Sequence, residues 1–305
     1  KGNILSSNYS TKASITKPAE NIICILAPNP SPMTFKGTNT YIVDNGELAI
    51  IDPGPISEEH LDNILEITAG RPVKYIFLTH SHVDHSPLAK QLSAKLNTPV
   101  YGYGASDAGL SSTMLSLINS GYESGSEGID YEFSPDYLVK NDERFDLNNK
   151  TILAIHTPGH MGNHVCFQYG NILFSGDHVM GWATSMVSPP YGDLTQFMAS
   201  CRLLQTKEFD LFLPGHGDPV KNPIERLNFL VNHRMERECQ IKEAIKNTPL
   251  TALEITEIVY TDIDNSLIPA ATRNVFAHLI DLSERGLVDF CDQISEKSKA
   301  GLRHK

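Results

Sequence analysis

Four side chains able to bind metal stand within six residues, in His80-Ser81-His82-Val83-Asp84-His85. They follow Tyr75-Ile76-Phe77-Leu78-Thr79, an apolar and β-branched run that reads as a buried strand. Residues i and i+2 on one side of a strand or turn bring two imidazoles to one ion. The carboxylate and imidazole that come next then face a second position. Three further segments offer one candidate each: Thr157-Pro158-Gly159-His160, Ser175-Gly176-Asp177 and Leu213-Pro214-Gly215-His216-Gly217. Each sits at the end of a predicted strand beside Gly or Pro, which permits a tight turn around an ion. Seven N/O ligands suit two metals about 3.5–4 Å apart. Such an imidazole-rich set favours Zn²⁺, with Mn²⁺ or Fe as alternatives. Paired cations bring the pKa of a bridging water toward neutrality, and the resulting hydroxide attacks a carbonyl or phosphoryl centre. Asp84 is expected both to bind a metal and to orient the nucleophile.

The remaining histidines have weaker claims. His164 is the next candidate should His160 not be a ligand. His156 and His178 read as supporting hydrogen-bond partners or ordinary polar packing. His60, His278 and His304 read as plain surface or helix residues. His233 and Arg234, on a long helix, either reach a substrate anion or lie on a solvated face. Asn39 and Tyr41 read as turn bonding at a strand entry. Trp182, the only tryptophan, reads as core packing, with pocket lining as the alternative, and Ser188-Pro189-Pro190-Tyr191 is a second pocket candidate.

Strands are expected at Ile22–Leu26, Thr40–Val43, Leu48–Asp52, Val73–Thr79, Pro99–Tyr101, Thr151–Ile155, His164–Tyr169, Ile172–Ser175 and Phe209–Leu213. Helices interleave at Ser57–Thr68, Ser86–Leu96 and Asp193–Gln205, with Ser86 and Asp193 as N-caps and Pro87 at the first helical position. This mixture predicts one α/β domain of sandwiched sheets with outer helices. Gly104–Asn149 is irregular and Gly/Ser-rich in part, and reads as a surface excursion. After Asn222-Pro223 the order becomes helix (Ile224–Lys246), helix (Thr251–Tyr260, with a Thr251/Glu254 capping box), helix (Ala270–Arg285) and a short strand (Leu287–Phe290). That is a winged-helix order, so the expected division is a loose N-terminal arm at 1–20, a catalytic domain at 21–223 and a winged-helix-like domain at 224–305.

In this frame the chain resembles the metallo-β-lactamase-fold hydrolases: HxHxDH followed by single His, Asp and His in that order, across about Ile22–Val220. The resemblance implies a four-layer αββα sandwich with a two-metal site at one edge. It assigns His80, His82 and His160 to the first metal, Asp84, His85 and His216 to the second, and Asp177 to the bridge. A branch with a C-terminal winged helix is also matched, through Asn232-His233-Arg234-Met235-Glu236-Arg237-Glu238, Pro269–Leu279 and Ala27-Pro28-Asn29-Pro30…Gly37-Thr38-Asn39-Thr40-Tyr41. That branch includes a mitochondrial endoribonuclease and bacterial hydrolases without an assigned substrate. Relatives with a di-iron redox site commonly carry Glu at the second motif position; His82 here favours hydrolysis.

The expected activity is hydrolysis of an ester, thioester or phosphodiester. The particular alternatives are an endoribonuclease acting on single-stranded RNA and a hydroxyacylglutathione-hydrolase-like thioesterase. Outside enzymes, the alternative is a winged-helix nucleic-acid-binding regulator. Net charge is −11, and the tail from Glu225 has 11 Lys+Arg against 13 Asp+Glu, a net of −2. A DNA-reading module is normally basic, so DNA binding is disfavoured and the tail is expected to pack against the catalytic domain, wall a substrate cleft or pair chains as a homodimer. The partner is expected to be a small molecule or RNA. No apolar run approaches membrane-spanning length, and Lys1–Glu20 lacks the apolar core of a secretion signal. Five scattered cysteines without a C-x-x-C pair point to a reducing cytoplasm.

Overall fold

A computed structural model describes residues 14–122 and 124–303. The first sheet has seven strands in chain order: β1 (Ile15–Ala19), β2 (Ile22–Leu26), β3 (Asn39–Asn45), β4 (Glu47–Ile51), β5 (Val73–Phe77), β6 (Val100–Gly102) and β7 (Tyr137–Leu138). Strands β1–β4 pair antiparallel; β4–β7 are parallel and need crossovers, two of which are α1 (Glu58–Thr68) and α2 (Leu88–Leu96). The second sheet runs in the order β12 (Leu211–Pro214), β11 (Ile172–Gly176), β10 (Val165–Tyr169), β9 (Lys150–His156) and β8 (Arg144–Leu147), with only β11 and β12 parallel.

Alternation along the strands builds the layers. Tyr41, Val43, Ala49, Ile51 and Phe77 meet Ile152, Ala154, Val165, Phe167 and Phe174 between the sheets. The opposite face of the first sheet, Ile42, Ile50 and Ile76, packs on Leu61, Ile64, Leu88 and Leu92 of α1 and α2. The opposite face of the second, Ile155, Cys166, Leu173 and Phe212, packs on Phe197 and Leu204 of α4 (Leu194–Gln205) and on Leu227 and Leu230 of α5 (Pro223–Ala244). The result is the expected αββα sandwich.

The tail adds α6 (Ala252–Val259), a short 3₁₀ turn at Asn265–Leu267, α7 (Ile268–Glu284) and a hairpin of β13 (Val288–Phe290) and β14 (Ala300–Leu302). Helices α5, α6 and α7 followed by β13 match the expected order, and β14 adds a second wing strand that was not expected. The Thr251/Glu254 capping box opens α6, and Asp193 caps α4 by accepting from the Gln196 amide. α5 is shared: Leu227 and Leu230 lie under the second sheet, while Ile241 joins Ile255, Phe276 and Leu279 in the tail's own core. No helix among the described residues is long and apolar enough to cross a membrane.

Three expectations need correction. The N-terminal arm does not extend to residue 20, because Ile15–Ala19 is an edge strand paired with β2; residues 1–13 lie outside the described residues. Ser86 does not cap α2. Its hydroxyl donates to Asp130 Oδ2 at 2.6 Å, and Pro87 takes the cap position without a side-chain bond. The excursion Gly104–Asn149 contains α3 (Ser112–Asn119), whose Met114 and Leu117 are buried in the tail's core. His60 and His278 are helix residues, in α1 and α7, and both are buried; His304 lies outside the described residues.

Candidate metal centre

The chain leaves β5 at Phe77, and within eight residues it presents His80, His82, Asp84 and His85 at one edge of the sandwich. His160 follows β9, Asp177 follows β11 and His216 follows β12. Because β11 and β12 run parallel, their C-terminal ends lie side by side, and the Gly215 amide donates to the Gly176 carbonyl at 2.9 Å. All seven expected residues converge. His80, His82, His160 and Asp177 form one group of ligand atoms and Asp84, His85 and His216 a second, each group within 4.8 Å. His82 Nδ1 lies 2.9 Å from His80 Nε2 and 3.1 Å from His160 Nε2. His216 Nε2 lies 3.2 Å from His85 Nε2 and 3.1 Å from Asp84 Oδ2. Asp177 stands between the groups: Oδ2 is 3.7 Å from His160 and 3.3 Å from His216, and Oδ1 is 3.5 Å from His85. Glycine is required where the chain passes these groups. A Cβ on Gly215 would lie 2.4 Å from Asp177 Oδ1, and one on Gly159, at φ +139°, would meet the Phe197 backbone at 2.3 Å.

The outward ring nitrogens show why the inward ones are free to coordinate. His160 Nδ1 donates to the Met186 carbonyl at 2.7 Å and His216 Nδ1 to the Gly37 carbonyl at 3.1 Å. A carbonyl only accepts, so each ring carries a proton on Nδ1 and presents Nε2 to the cluster. Asp52 does the same for two more rings. Its Oδ2 accepts from His85 Nδ1 at 2.9 Å and from the Thr79 hydroxyl at 2.7 Å; that hydroxyl oxygen in turn accepts from His80 Nδ1 at 2.9 Å. Asp177 Oδ1 is buried without a hydrogen-bond partner. Converging ring nitrogens and a buried carboxylate oxygen without a close hydrogen-bond partner fit divalent cations.

Electrostatics divide the cluster. Burial, with the neighbouring imidazoles, holds His80 well below the ordinary histidine value and His82 at about 3; burial lowers His160 too. Burial also opposes charge on His85 and His216, but carboxylates outweigh it. Asp177, Asp84 and Asp52 raise His85 well above its usual value, and Asp177 with Asp84 raises His216 to about 9. Burial pushes Asp84 and Asp177 upward, yet His85 and His216 hold both well below the usual carboxylate range.

Several supporting residues were not evident from sequence. Asp52, at φ +52° before Pro53-Gly54, has only the signal of an acidic strand end. Asn39 and Tyr41 are not turn residues serving their own strand. Asn39 Nδ2 donates to the Pro214 and Gly217 carbonyls and the Tyr41 hydroxyl to Pro214, so both fix the loop carrying His216. His164 is buried and bonds Thr157 through Nδ1, with its ring 5.2 Å from that of His80, outside the two ligand groups. His156 stacks on Tyr103 and bonds the Gly162 carbonyl, and His178 lies against Cys201 and Phe197; both are packing residues. Trp182 is not in the core: it is 37% exposed and stacks on Phe35.

Arg234 neither faces solvent nor reaches an open cleft. It is buried, bonding Asn274 and the Ser185 carbonyl. It is one of three arginines from the tail that grip the segment between Asp177 and Tyr191. Arg226 donates to the Met180 and Ala183 carbonyls, and Arg273 donates to the Ser188 hydroxyl at 3.0 Å. That segment supplies the Met186 carbonyl that orients His160. His233, on the same helix, is half-buried beside Phe229.

Replacing Asp52 by Asn keeps the size and a residue tolerant of positive φ, but removes the carboxylate serving His85 and Thr79. Metal affinity should fall about 10–100-fold, with the circular dichroism spectrum unchanged. Competition against a chromophoric chelator measures it; undiminished affinity would show that Asp52 does not support the ligands.

This fold and a complete seven-residue cluster define a class. A family model described as the metallo-beta-lactamase superfamily matches residues 33–216, and another, the beta-lactamase associated winged helix domain, matches residues 251–297. The chain belongs to the metallo-beta-lactamase superfamily and is a hydrolase of the group that carries this winged helix. Among its relatives is the beta-lactamase-like protein 2 homolog of Drosophila melanogaster, 32% identical over 286 residues, 89% of this chain and 91% of the relative. An atrochrysone carboxyl ACP thioesterase of Paecilomyces divaricatus is 30% identical over 287 residues, 88% of this chain and 82% of that one. Among solved structures, a beta-lactamase domain protein from Burkholderia ambifaria superposes with a TM-score of 0.76 at 20% identity, over 95% of this chain and 93% of that one. A metallo-beta-lactamase family protein from Thermus thermophilus does so with a TM-score of 0.73 at 20% identity, over 93% and 99%.

Proposed function

We propose that the protein is a dinuclear, zinc-dependent hydrolase of carboxylic thioesters or esters. His80, His82 and His160 would hold the first cation, Asp84, His85 and His216 the second, and Asp177 both. Two such cations supply a water acidic enough to attack near neutral pH and a positive field for the oxyanion. Asp84 is the more open of the two carboxylates, 22% exposed against 9% for Asp177. Its ionised oxygens accept a hydrogen bond from the attacking water and orient it toward the carbonyl carbon. The bond from that carbon to the leaving sulfur or oxygen then breaks, and the proton lost by the water ends on the leaving group.

The observation that carries the acyl reading over a phosphodiester is the employment of the nearby arginines. Arg226, Arg234 and Arg273 each direct guanidinium donors into the segment between Asp177 and Tyr191, which reduces what they can offer a phosphate. The thioesterase name of the Paecilomyces divaricatus relative points the same way. Five free thiols, three of them buried, fit a cytoplasmic setting. The test is turnover by purified, metal-analysed protein on acyl-thioesters, short single-stranded RNA and a chromogenic lactam. Thioester cleavage at least tenfold more efficient than RNA cleavage is expected; the reverse order would assign a nuclease.

A further inference from the structure

A groove of about 630 Å³ is walled by Phe35, Trp182 and Phe229 and lined further by Gly181, Asp218 and Pro219. The Phe35 and Trp182 rings stack 5.0 Å apart with planes 15° from parallel, yet the residues are 40% and 37% exposed, and Phe229 is 49% exposed. Single exposed apolar residues are ordinary; three aromatic rings around one concavity are a binding face. The charged residues of the groove cancel, Asp218 and Glu225 against Lys221 and Arg226, and Arg226 is already bonded to two carbonyls with its guanidinium over the Phe229 ring. This is a surface for an uncharged, flat group.

Phe35 is held firmly in that position. Its φ of +55° is one that an aromatic residue rarely adopts. The loop around it is cross-braced: Asn29 Nδ2 donates to Thr38 Oγ1 and Asn29 Oδ1 accepts from the Thr38 amide, while the Thr34 hydroxyl donates to the Asn29 carbonyl and the Gly37 amide to the Thr34 carbonyl. A strained backbone fixed by so many bonds presents a rigid ring. The same loop ends at Gly37, whose carbonyl orients His216, and Trp182 packs on Gly217, the residue after His216. Both walls of the groove are therefore tied to the loop that carries His216.

We propose that this groove is the acyl subsite and that it takes a flat, uncharged aromatic acyl group, stacked on the Phe35–Trp182 pair while its carbonyl reaches the cluster; this rests on the acyl-hydrolase reading above. Trp182 is the only tryptophan, so its emission reports the groove without any catalysis. Titrating metal-loaded protein with 2-naphthamide should change that emission saturably. Phe35→Gly, which suits the positive φ and spares the fold, should weaken the binding about tenfold. In the same variant the ratio of kcat/KM for a naphthoyl thioester over an acetyl thioester should fall about tenfold, through KM. No saturable change in emission, or an unchanged ratio, overturns the subsite. Emission that shifts with protein concentration alone overturns it in favour of a second copy seated on the groove. If naphthamide binds in the expected way but no thioester is cleaved, the acyl-hydrolase reading fails while the aromatic site stands.

Discussion

Asp84→Asn should lower kcat/KM about a thousandfold and leave the protein holding close to one equivalent of metal instead of two. Two losses combine. The amide is a poorer ligand beside His85 and His216, and it no longer offers an anionic acceptor to orient the attacking water; a positioned proton acceptor alone contributes about 10²–10⁴-fold. The first group, His80, His82, His160 and Asp177, does not include Asp84, so its cation should remain. The variant should also fold, since Asp84 is partly open and packs in no hydrophobic core. Metal analysis beside turnover separates the outcomes. Two retained equivalents with lost activity would confine Asp84 to the water; full activity would remove it from both roles.

The ligands were legible because each lies within eight residues of a strand end, and strands announce themselves by apolar, β-branched runs. The pattern of Tyr75–Thr79 before His80, or Phe209–Leu213 before His216, is local. The groups that orient those ligands were illegible because their bonds span the chain. Tyr41 reaches Pro214 across 173 residues, and Asp52 reaches His85 across 33. An Asp before Pro-Gly reads as turn chemistry, and nothing nearby signals that it serves two imidazoles.

The tail shows the same split. Periodicity located its helices, and the capping box located the start of α6. It could not say which way Arg234 faces on a helix that changes partners half-way, from the second sheet at Leu227 to the tail's core at Ile241. Trp182 was misplaced for a related reason. A lone aromatic is core by default, and its exposure here depends on Phe35, a residue distant in sequence. Irregular composition likewise concealed α3, whose burial is decided by the C-terminal residues it meets.

The second large effect concerns pH. Protons and metal compete for the same lone pairs, and the two halves of the cluster compete differently. Burial lowers the pKa of His80, His82 and His160, so the first group should load a cation with less pH dependence than the second. His85 and His216 instead hold protons where the second cation would sit, His216 up to about pH 9. Affinity for the second equivalent should therefore rise with pH from 6 toward 9, by about tenfold per unit for each proton displaced, and flatten above that. Metal-free protein should behave in the opposite sense. A histidine whose folded pKa is raised contributes stability that is complete below its unfolded value, about 6.5, and is lost as pH climbs through the folded value, about 9 for His216. The gap in Tm between loaded and stripped protein should widen over that interval, and chelation should abolish turnover at every pH. Calorimetric titration with Zn²⁺ at pH 6, 7, 8 and 9 resolves the two equivalents. Equal pH slopes for both would mean that the carboxylates do not divide the cluster as their positions around His85 and His216 require.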